Sequence, residues 1–588
     1  IVGDRRCWSD SNHPNEYGNR YVADTIEPGL TELLGEQPLP IRKPTLETTR
    51  DFWQEAVALA SDHLAVVDGD RRLTYGEANA MVEQLAANIA AATGVSRPTV
   101  AVYLPNGLEY YLIYWATQRL GGVIVPLNTW LKEESLAGIF RMVQPDILFV
   151  RGPQDEFAVR AGQGMPVYAT EHADDEPLLP SPPPLGREEG APGTTDEIKH
   201  LPSPFLPREG GQGVRSIRPY TELLQTAPPA PEAPLTGDDL SIIMHTSGTT
   251  STPKGAMMRH ADLMFNVAAA INAHDFSTTD VHLLVNPMFH CTALYSSLPT
   301  AAYQKTPVII LPTTAPEELM AVVERERITT FLSIPSVFQK ILTLPDLARY
   351  DASALRVMAY AGSPMPVATI RELRRRFPDV ALHNFFGLTE TISMTHVLRN
   401  TDLEAHPDSI GRLLPFVEAM VVDEDNQPMP PGEPGELLFA REEIIPGYFQ
   451  QPERLQEALV ELHGRTWFRT GDLAAVDAEG FFTVKGRKKD MIIVGGENVF
   501  AAEVEAVLLT HEKIREAAVK GIPATGVRSY LGELVKAYIV PHDASLTELE
   551  LKKHCYERLP SYKVPAFFAF LDALPRNPSG KVVKDELP

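Results

Sequence analysis

The sequence of 588 residues has no apolar run that approaches the roughly 18 residues needed for a membrane-spanning helix. Cysteine is also scarce. Cys7, Cys291 and Cys555 lie far apart and lack metal-ligand spacing, which argues against a disulfide-rich secreted fold and against a zinc site. We therefore expect a protein of the reducing cytoplasm without a transmembrane segment. Peripheral contact with a membrane stays open.

Basic residues are also fewer than acidic residues. The chain carries 53 Lys and Arg against 77 Asp and Glu, a net charge of -24. A field of this sign repels phosphate backbones and anionic lipid, so nucleic acid is not expected as a partner. The remaining composition, 44% hydrophobic and 22% charged, is that of an ordinary globular protein.

Composition shifts divide the chain into units. Helix patterns alternate with short apolar runs, for example at 100–104, 123–127 and 357–360, up to about residue 484. Helices between buried strands are typical of a doubly wound, largely parallel α/β fold. The rest of the chain shows its own helix pattern and two strand candidates. We predict a large α/β domain at 41–486 and a small α+β domain at 487–588.

A proline-rich segment interrupts the large domain between residues 174 and 220. It contains two related copies of Leu-Pro-Ser-Pro, which begin at Leu179 and Leu201. Prolines at this density can neither continue a helix nor donate to a β-ladder. The segment is predicted to be a disordered surface insertion. A proline-rich ligand for a partner protein is the alternative.

A loop rich in hydroxyl groups follows the apolar run at 240–244. Its sequence at 246–255 is Thr-Ser-Gly-Thr-Thr-Ser-Thr-Pro-Lys-Gly. Backbone N–H groups, hydroxyls and one ammonium together suit a polyphosphate. The loop is not a Walker A motif, because Pro253 and Gly255 stand where that motif requires glycine and Ser or Thr. An exposed Ser/Thr turn is the alternative for the loop taken alone.

Further motifs follow this loop in a fixed order. They lie at 361–364 (Ala-Gly-Ser-Pro), 384–390 (Asn-Phe-Phe-Gly-Leu-Thr-Glu), 435–437 (Gly-Glu-Leu), 447–448 (Gly-Tyr), 469–472 (Arg-Thr-Gly-Asp), 486–490 (Gly-Arg-Lys-Lys-Asp), 495–498 (Gly-Gly-Glu-Asn) and 577–581 (Asn-Pro-Ser-Gly-Lys). The set resembles the core motifs of the adenylate-forming superfamily over residues 45–588. That superfamily includes acyl-CoA synthetases, aryl-CoA ligases, peptide-synthetase adenylation domains and luciferases. The resemblance implies that a carboxylate attacks the α-phosphorus of ATP, and that a thiol then displaces AMP.

The resemblance also implies where the nucleotide binds. The residues that would hold the β- and γ-phosphates come from the first loop: Thr246, Ser247, Gly248, Thr249, Thr250 and Lys254. The residues that resemble the adenine slot come from the next two motifs: Gly362, Ser363, Pro364, Asn384, Phe385, Phe386 and Gly387. The sequence departs from the family at Ser251, which replaces a glycine, and at Phe386, which replaces a tyrosine. The proline-rich insertion also has no counterpart in the family.

Four more residues are implied in the nucleotide site. Thr389 would donate its hydroxyl to the α-phosphate, and Glu390 would hold Mg²⁺, which prefers oxygen ligands. A helix cap is the alternative for this pair. Asp472 and Arg487 resemble the pair that binds the ribose hydroxyls, and a surface ion pair is their alternative.

The small domain supplies the remaining implied groups. Lys581 matches the adenylation lysine, which the small domain carries to the α-phosphate and the incoming carboxylate. Lys489 matches the hinge about which this domain rotates between the two half-reactions. Gly495, Gly496 and Glu497 would then face the nucleotide and bind CoA, with the glycines allowing close approach.

The segment at 286–292 (Asn-Pro-Met-Phe-His-Cys-Thr) bears on the acid substrate. Amino-acid-activating relatives have an acidic residue here to pair the substrate ammonium, and this chain has His290, so an α-amino acid is disfavoured. His290 is a candidate gate beside the acyl carbon, or a core histidine. Plausible apolar lining residues around it are Met288, Phe289, Leu294, Tyr295, Ile334, Val337 and Phe338.

Residues 1–40 resemble a different family. The segment from Trp8 to Asn19 is similar to the closing block of SGNH (GDSL) esterases, in which Asp and His, here Asp10 and His13, complete a Ser-His-Asp triad. The chain begins at Ile1, without the upstream nucleophile. We interpret the block as an inactive remnant of a truncated or fused esterase; a chance Asx turn is the alternative.

The leading hypothesis is an AMP-forming acid:CoA ligase for a medium- or long-chain fatty acid, with ATP and CoA as co-substrates and Mg²⁺ as cofactor. An aryl-acid ligase is the nearest rival, and a ligase that loads a carrier protein is the next. From other classes, an inactive adenylate-binding protein and part of a bifunctional esterase-ligase stay open. The protein is expected to be a monomer or homodimer.

Overall fold

The computed structural model describes residues 47–131, 133–152, 155–162, 164–170, 217–246, 254–392, 394–415, 417–576 and 582–588. The esterase-like block at 1–40, the proline-rich stretch at 171–216, the loop residues 247–253 and Lys581 lie outside this part of the chain. None of the helices in the described ranges is long and apolar enough to cross a bilayer.

The secondary structure alternates between helices and strands. The α-helices are α1 (Thr49–Ala60), α2 (Tyr75–Thr93), α3 (Leu108–Leu120), α4 (Glu133–Val143), α5 (Glu156–Ala161), α6 (His260–His274), α7 (Leu298–Gln304), α8 (Pro316–Arg325), α9 (Pro335–Leu342), α10 (Val367–Arg376), α11 (Pro452–Gln456), α12 (Ala501–Leu508) and α13 (Glu548–Tyr556). The strands up to residue 413 are β1 (Leu64–Asp68), β2 (Arg71–Thr74), β3 (Thr99–Tyr103), β4 (Val123–Pro126), β5 (Ile147–Val150), β6 (Val167–Ala169), β7 (Arg218–Pro219), β8 (Leu240–Thr246), β9 (Lys254–Arg259), β10 (His282–Leu284), β11 (Val308–Ile310), β12 (Thr330–Ser333), β13 (Val357–Tyr360), β14 (Ala381–Gly387), β15 (Met394–Leu398) and β16 (Arg412–Leu413). The later strands are β17 (Ala419–Val422), β18 (Gly435–Ala440), β19 (Leu459–Leu462), β20 (Arg465–Val476), β21 (Phe482–Arg487), β22 (Met491–Val494), β23 (Glu497–Phe500), β24 (Ile514–Pro523), β25 (Glu533–Pro541) and β26 (Phe567–Phe570).

Two large sheets dominate the first unit. One has the strand order β7-β6-β5-β3-β4-β8-β9 and is parallel except at the β8–β9 hairpin. The other has the order β16-β15-β14-β13-β12-β10-β11-β1-β2, with parallel strands from β14 to β1. Helices connect most of these parallel strands, as the sequence predicts. The doubly wound α/β fold is therefore confirmed.

The core between these elements is rich in aromatic side chains. Helix α3 is buried on nearly every face, and the indole rings of Trp53 and Trp115 stack 4.6 Å apart. Helices α1 and α2 both begin with a capping box, in which Thr48 pairs with Asp51 and Thr74 with Glu77. Local capping and apolar burial therefore favour the same helix boundaries.

The alternation of helices and strands ends earlier than the sequence suggests. Strands β17 to β21 form an antiparallel sheet in the order β17-β18-β20-β19, with β21 beside β20. Turns replace crossover helices here: the Asp423 N–H donates to Gln427 O at 2.9 Å, and the Asp477 N–H to Phe481 O at 3.0 Å. The prediction that α/β alternation continues to about residue 484 is wrong for this reason.

The predicted end of the proline-rich insertion is also wrong by a few residues. Strand β7, at Arg218–Pro219, pairs with β6, and Tyr220 and Leu223 in the following 3₁₀ turn are buried. The Asn88 side chain donates to Leu223 O at 3.0 Å. The chain is therefore part of the folded domain again before residue 220, where its apolar side chains become buried.

The second unit has its own core. Strands β24, β25 and β26 form one sheet, β22 and β23 form a hairpin, and α12 and α13 cover them. Val504, Val535 and Leu551 are buried together. Arg487 still belongs to β21 of the first unit, one residue beyond the predicted boundary. The connection is the short turn Lys488–Asp490.

The lowered pKa values of four buried histidines predict how the free energy of unfolding depends on pH. Burial lowers the pKa of His260 and His396 to about 3, and of His282 and His383 to about 4. The unfolded chain therefore binds more protons than the folded chain between about pH 4 and 6.5, so stability is full above pH 6.5 and is lost as pH falls. We expect a loss of about 1 kcal/mol per histidine at pH 5.5, measured as a lower unfolding temperature than at pH 7.5.

A matched pair of variants isolates this effect. The substitution His396→Gln removes one buried titrating group and should weaken the pH dependence. The substitution His63→Gln changes an exposed histidine and should leave it unaltered. An unfolding temperature as high at pH 5.5 as at pH 7.5 would contradict the expectation.

Candidate active site

Two of the motifs lie at the carboxyl ends of neighbouring parallel strands of the nine-stranded sheet. Tyr360 of β13 pairs with Asn384 of β14, so the motif that follows β13 and the motif that ends β14 lie side by side. Gly362, Ser363 and Pro364 are exposed there. Ligands of open α/β sheets bind at this edge, because loops rather than strands meet there.

The residues predicted for the adenine slot differ in what their side chains contact. Gly362 has a φ of +87°, which favours glycine, and a Cβ at this position would lie 3.5 Å from Ile334 Cγ2. The Asn384 side chain donates to Ser409 O at 2.8 Å, which anchors the end of β14. Phe385 is buried in the core, so only its backbone could contact a ligand, whereas Phe386 is partly buried and lies edge-on to His396. Gly387 is exposed.

Thr389 and Glu390 lie in a turn, not at the start of a helix. The Thr391 hydroxyl accepts from the Leu388 N–H at 2.9 Å, and the Ile392 N–H donates to Thr389 O at 3.2 Å. The next regular element is strand β15, which begins at Met394. The helix-cap alternative is therefore wrong, and both side chains remain partly exposed.

Lys254 and Glu390 both contact a third residue, Tyr448. Thr246 and Lys254 face each other in the β8–β9 hairpin, which holds the two ends of the intervening loop side by side. The Lys254 ammonium lies 4.9 Å from the centre of the Tyr448 ring. The Tyr448 hydroxyl donates to Glu390 Oε1 at 2.7 Å. The Gly-Tyr motif at 447–448 is recognisable in the sequence, but the sequence alone indicated no role for Tyr448.

The surroundings of Glu390 are compatible with a magnesium ion whose other ligands are nucleotide phosphates and water. No group of three or more His, Cys, Asp or Glu with metal-binding geometry exists within the described ranges. Mg²⁺ is commonly bound by one or two carboxylates together with substrate phosphates and water. Glu390 supplies one such carboxylate, and its Oε1 accepts a hydrogen bond from the Tyr448 hydroxyl.

Asp472 and Arg487 face each other across neighbouring strands. They pair in register in β20 and β21, with 2.8 Å between Arg487 Nε and Asp472 Oδ1. The Asp472 side chain is 8% exposed and the Arg487 side chain 48% exposed. The Arg487 guanidinium also donates to Thr470 O at 3.3 Å. The predicted pairing exists, with the carboxylate buried; its role in binding ribose stays a prediction.

The substitution Asp472→Asn tests that role. We expect the KM for ATP to rise about tenfold, because an amide accepts hydroxyl protons more weakly than a carboxylate. The discriminating measurement is the ratio of kcat/KM for ATP to that for 2′,3′-dideoxy-ATP, which the variant should compress toward one. Asp280→Asn is the control, since Asp280 pairs with Arg356 without an assigned ligand. An unchanged ratio in Asp472→Asn would favour a purely structural ion pair.

The candidate acid site lies beside the end of β10. The His290 ring contacts the Phe289 ring at 4.8 Å, and the Phe289 ring lies edge-on to Trp130 at 6.0 Å. A π-helix at Thr292–Ser297 follows, and such helices frequently occur at functional sites. Trp130 is 51% exposed and was missed from the sequence.

The predicted apolar lining divides between two cores. Met288, Leu294 and Tyr295 are buried in the core that also contains Phe385, whereas Val337 and Phe338 are buried in a separate core with Phe331. Burial, and then the nearby Cys291 thiol and Glu390 carboxylate, raise the pKa of Tyr295. Of the first group, Tyr295 is thus within electrostatic range of the Glu390 carboxylate. Val337 and Phe338 lie in a different core from the residues beside His290.

The small-domain residues lie on exposed turns. Lys489 is exposed in the turn between β21 and β22, and its neighbour Lys488 binds Glu436 at 3.1 Å. Gly495 and Gly496 form the β22–β23 turn with φ values of +62° and +89°, which residues with a Cβ rarely adopt. Glu497 follows them on the surface. The roles of these residues stay predictions.

Comparisons with known proteins cover nearly the same region as the motifs. The pattern described as AMP-binding enzyme matches residues 53–449, and that described as AMP-binding enzyme C-terminal domain matches 503–581. Feruloyl-CoA synthase of Amycolatopsis sp is 31% identical over 91% of this chain and 97% of its own length. Long-chain-fatty-acid–CoA ligase FadD13 of Mycobacterium tuberculosis is 29% identical over 88% and 93%. The structure of the Bacillus subtilis O-succinylbenzoate coenzyme A synthetase with AMP superimposes with a TM-score of 0.74 at 25% identity, over 91% and 97% of the two chains.

Proposed function

Since the chain belongs to the AMP-binding enzyme family, as an AMP-forming acid–thiol ligase, we propose that it activates a medium- or long-chain fatty acid and transfers the acyl group to CoA. ATP is cleaved to AMP and pyrophosphate. The observation that carries this choice of acid is that His290 lies against the buried Phe289 ring, with no acidic residue at this position. The residue roles below belong to the same proposal.

In the first half-reaction the protein positions ATP and neutralises charge. Lys254 and the hydroxyl-rich loop hold the β- and γ-phosphates, and the Thr389 hydroxyl donates to the α-phosphate. Glu390 holds Mg²⁺, which offsets negative charge on the phosphates. Asp472 and Arg487 bind the ribose hydroxyls. No protein nucleophile is needed, because the substrate carboxylate attacks the α-phosphorus itself.

Lys581 completes this arrangement from the small domain. In the proposal its ammonium meets the α-phosphate and the incoming carboxylate, so two anions can approach each other. Rotation about Lys489 then withdraws Lys581. The turn of Gly495, Gly496 and Glu497 replaces it and binds the pantetheine arm of CoA. One cleft can thereby serve both half-reactions.

The choice of a fatty acid is supported by the residues next to His290. Met288, Phe289 and Leu294 are 0%, 6% and 0% exposed, so the chain next to His290 is packed in apolar surroundings. A substrate ammonium placed there would be desolvated opposite a histidine instead of a carboxylate. An alkyl chain gains from the same surroundings, at about 0.8 kcal/mol for each buried methylene group.

A second candidate is an aryl acid. The Trp130 ring lies edge-on to Phe289, and Phe289 contacts His290, so three aromatic rings border the candidate acid site. Aromatic rings favour edge-to-face or offset contacts with a substrate ring. The 31% identity to a feruloyl-CoA synthase is in line with this candidate.

Thioester formation across an acid panel separates the two candidates. With ATP, Mg²⁺ and CoA, we expect kcat/KM for C8 to C16 fatty acids to exceed that for benzoate and cinnamate by at least about tenfold. The exposed Trp130 offers a matched variant: Trp130→Ala should leave fatty-acid turnover nearly unchanged. Highest activity with an aryl acid, together with its loss in Trp130→Ala, would replace the first candidate by the second.

A further inference from the structure

Tyr448 occupies a fixed place between two motifs that are far apart in sequence. The segment that carries it pairs with β9: the Phe449 N–H donates to Gly255 O at 2.7 Å, and the Met257 N–H donates to Gly447 O at 3.1 Å. Tyr448 itself forms a bridge with Ala256 and is 3% exposed. Its backbone is therefore anchored directly beside Lys254.

The same segment is also anchored to the turn that contains Glu390. The Ile445 N–H donates to Glu390 O at 2.8 Å, and the Tyr448 hydroxyl donates to Glu390 Oε1 at 2.7 Å. One short stretch of chain thus holds both the backbone and the carboxylate of Glu390. A hydrogen bond to a charged acceptor is stronger than one between neutral groups.

The Tyr448 side chain contacts two groups of opposite charge, the Lys254 ammonium and the Glu390 carboxylate. The Lys254 ammonium lies over the ring at 4.9 Å, within the range of a cation–π contact. Burial first, and then the Glu390 carboxylate, raise the pKa of Tyr448, so the phenol remains a hydrogen-bond donor at neutral pH. Glu390 is reached by the hydroxyl and Lys254 by the ring face, so a single side chain contacts both groups.

We propose that Tyr448 is a positioning residue for nucleotide activation: its hydroxyl fixes the Glu390 carboxylate for Mg²⁺, and its ring fixes the Lys254 ammonium for the phosphates. The inference rests on the proposed roles of Glu390 and Lys254. Tyr448 itself touches neither the acid nor the nucleotide in this account. A buried tyrosine that only fills the core is the competing explanation.

The substitution Tyr448→Phe separates these explanations, because it keeps the ring and removes the hydroxyl. We expect the Mg²⁺ concentration for half-maximal pyrophosphate release to rise about tenfold, in line with loss of a charge-assisted hydrogen bond. Calorimetry provides a readout without turnover. The tightening of ATP binding by Mg²⁺ should shrink about fivefold in the variant, whereas ATP affinity in EDTA should stay at the wild-type value.

Tyr75→Phe is the matched control. The Tyr75 hydroxyl is buried and donates to Thr306 O at 3.0 Å, away from the candidate site. Both variants lose one buried hydroxyl bond, so similar changes in unfolding temperature are expected, and only Tyr448→Phe should alter the Mg²⁺ dependence. In a Glu390→Ala background, which removes the acceptor of the Tyr448 hydroxyl, adding Tyr448→Phe should produce little further change, since the two residues act as one unit.

A wild-type Mg²⁺ dependence in Tyr448→Phe, in both titrations, would overturn the proposal and leave Tyr448 a core residue. Additive effects of the two substitutions would overturn it as well. The calorimetric arm needs no acid and no CoA. It therefore decides the role of Tyr448 even where the wild-type protein fails to act on any acid in the panel, a failure that would count against the proposed function alone.

Discussion

Replacement of Lys581 by alanine is expected to lower the rate of acyl-adenylate formation by about 100- to 1,000-fold, which is the usual loss when one charge-stabilising group is removed from a transition state. Thioester formation from a supplied acyl-adenylate should be nearly unchanged, because in the proposed mechanism the rotated small domain no longer presents this lysine. The two half-reactions are measured separately, by ATP–pyrophosphate exchange and by acyl-CoA release from the synthetic adenylate.

Lys584→Ala is the control for the loss of a nearby positive charge. Lys584 lies three residues further along the chain and binds Glu505 at 2.8 Å, so its removal should leave both half-reactions close to wild type. Arg576 and Val582, which flank residues 577–581 in sequence, form an antiparallel β-bridge. Equal loss of both half-reactions in Lys581→Ala would contradict the assigned role.

The substitution Glu390→Gln is expected to lower adenylate formation by about 100-fold at 1 mM Mg²⁺, because a neutral amide oxygen is a much weaker ligand for a hard cation than a carboxylate. The glutamine keeps an oxygen that can accept from Tyr448, so the turn should keep its shape. Part of the activity should return as Mg²⁺ is raised. Pyrophosphate release across a Mg²⁺ series measures both effects.

Glu326→Gln is the matched control for this second prediction. Its carboxylate is only 6% exposed and pairs with Arg72 at 2.8 Å, and it has no assigned ligand. We expect wild-type Mg²⁺ dependence in that variant. Glu390→Gln with full activity at 1 mM Mg²⁺ would show that another group holds the metal.

Much of the fold could be predicted because local patterns and burial agree. The strands at 99–103, 123–126 and 357–360 are short, buried and flanked by helices, which is the pattern of a parallel sheet. The antiparallel sheet that contains β20 could not be recognised in the same way. Its strands are joined by turns at Asp423 and Asp477, and a turn motif within a longer sequence does not reveal which strands pair.

Candidate site residues could be predicted from the sequence where a motif contains a charged or polar side chain. Lys254, Glu390 and Asp472 were predicted because they stand at motif positions of the adenylate-forming superfamily, and their roles stay predictions. Tyr448 was missed because its contact with Glu390 spans 58 positions in sequence. Hydrophobicity alone does not separate pocket lining from core, and Val337 and Phe338 are buried in a different core from Met288 and Leu294.

The central claim is acid-dependent cleavage of ATP followed by transfer to CoA. The most direct measurement is pyrophosphate and AMP release with ATP and Mg²⁺ across fatty, aryl and amino acids, with and without CoA. We predict a response to fatty acids in which CoA raises AMP turnover well above the single-turnover level, together with stoichiometric acyl-CoA. Silence with every acid, or AMP release that CoA leaves unchanged, would contradict the account.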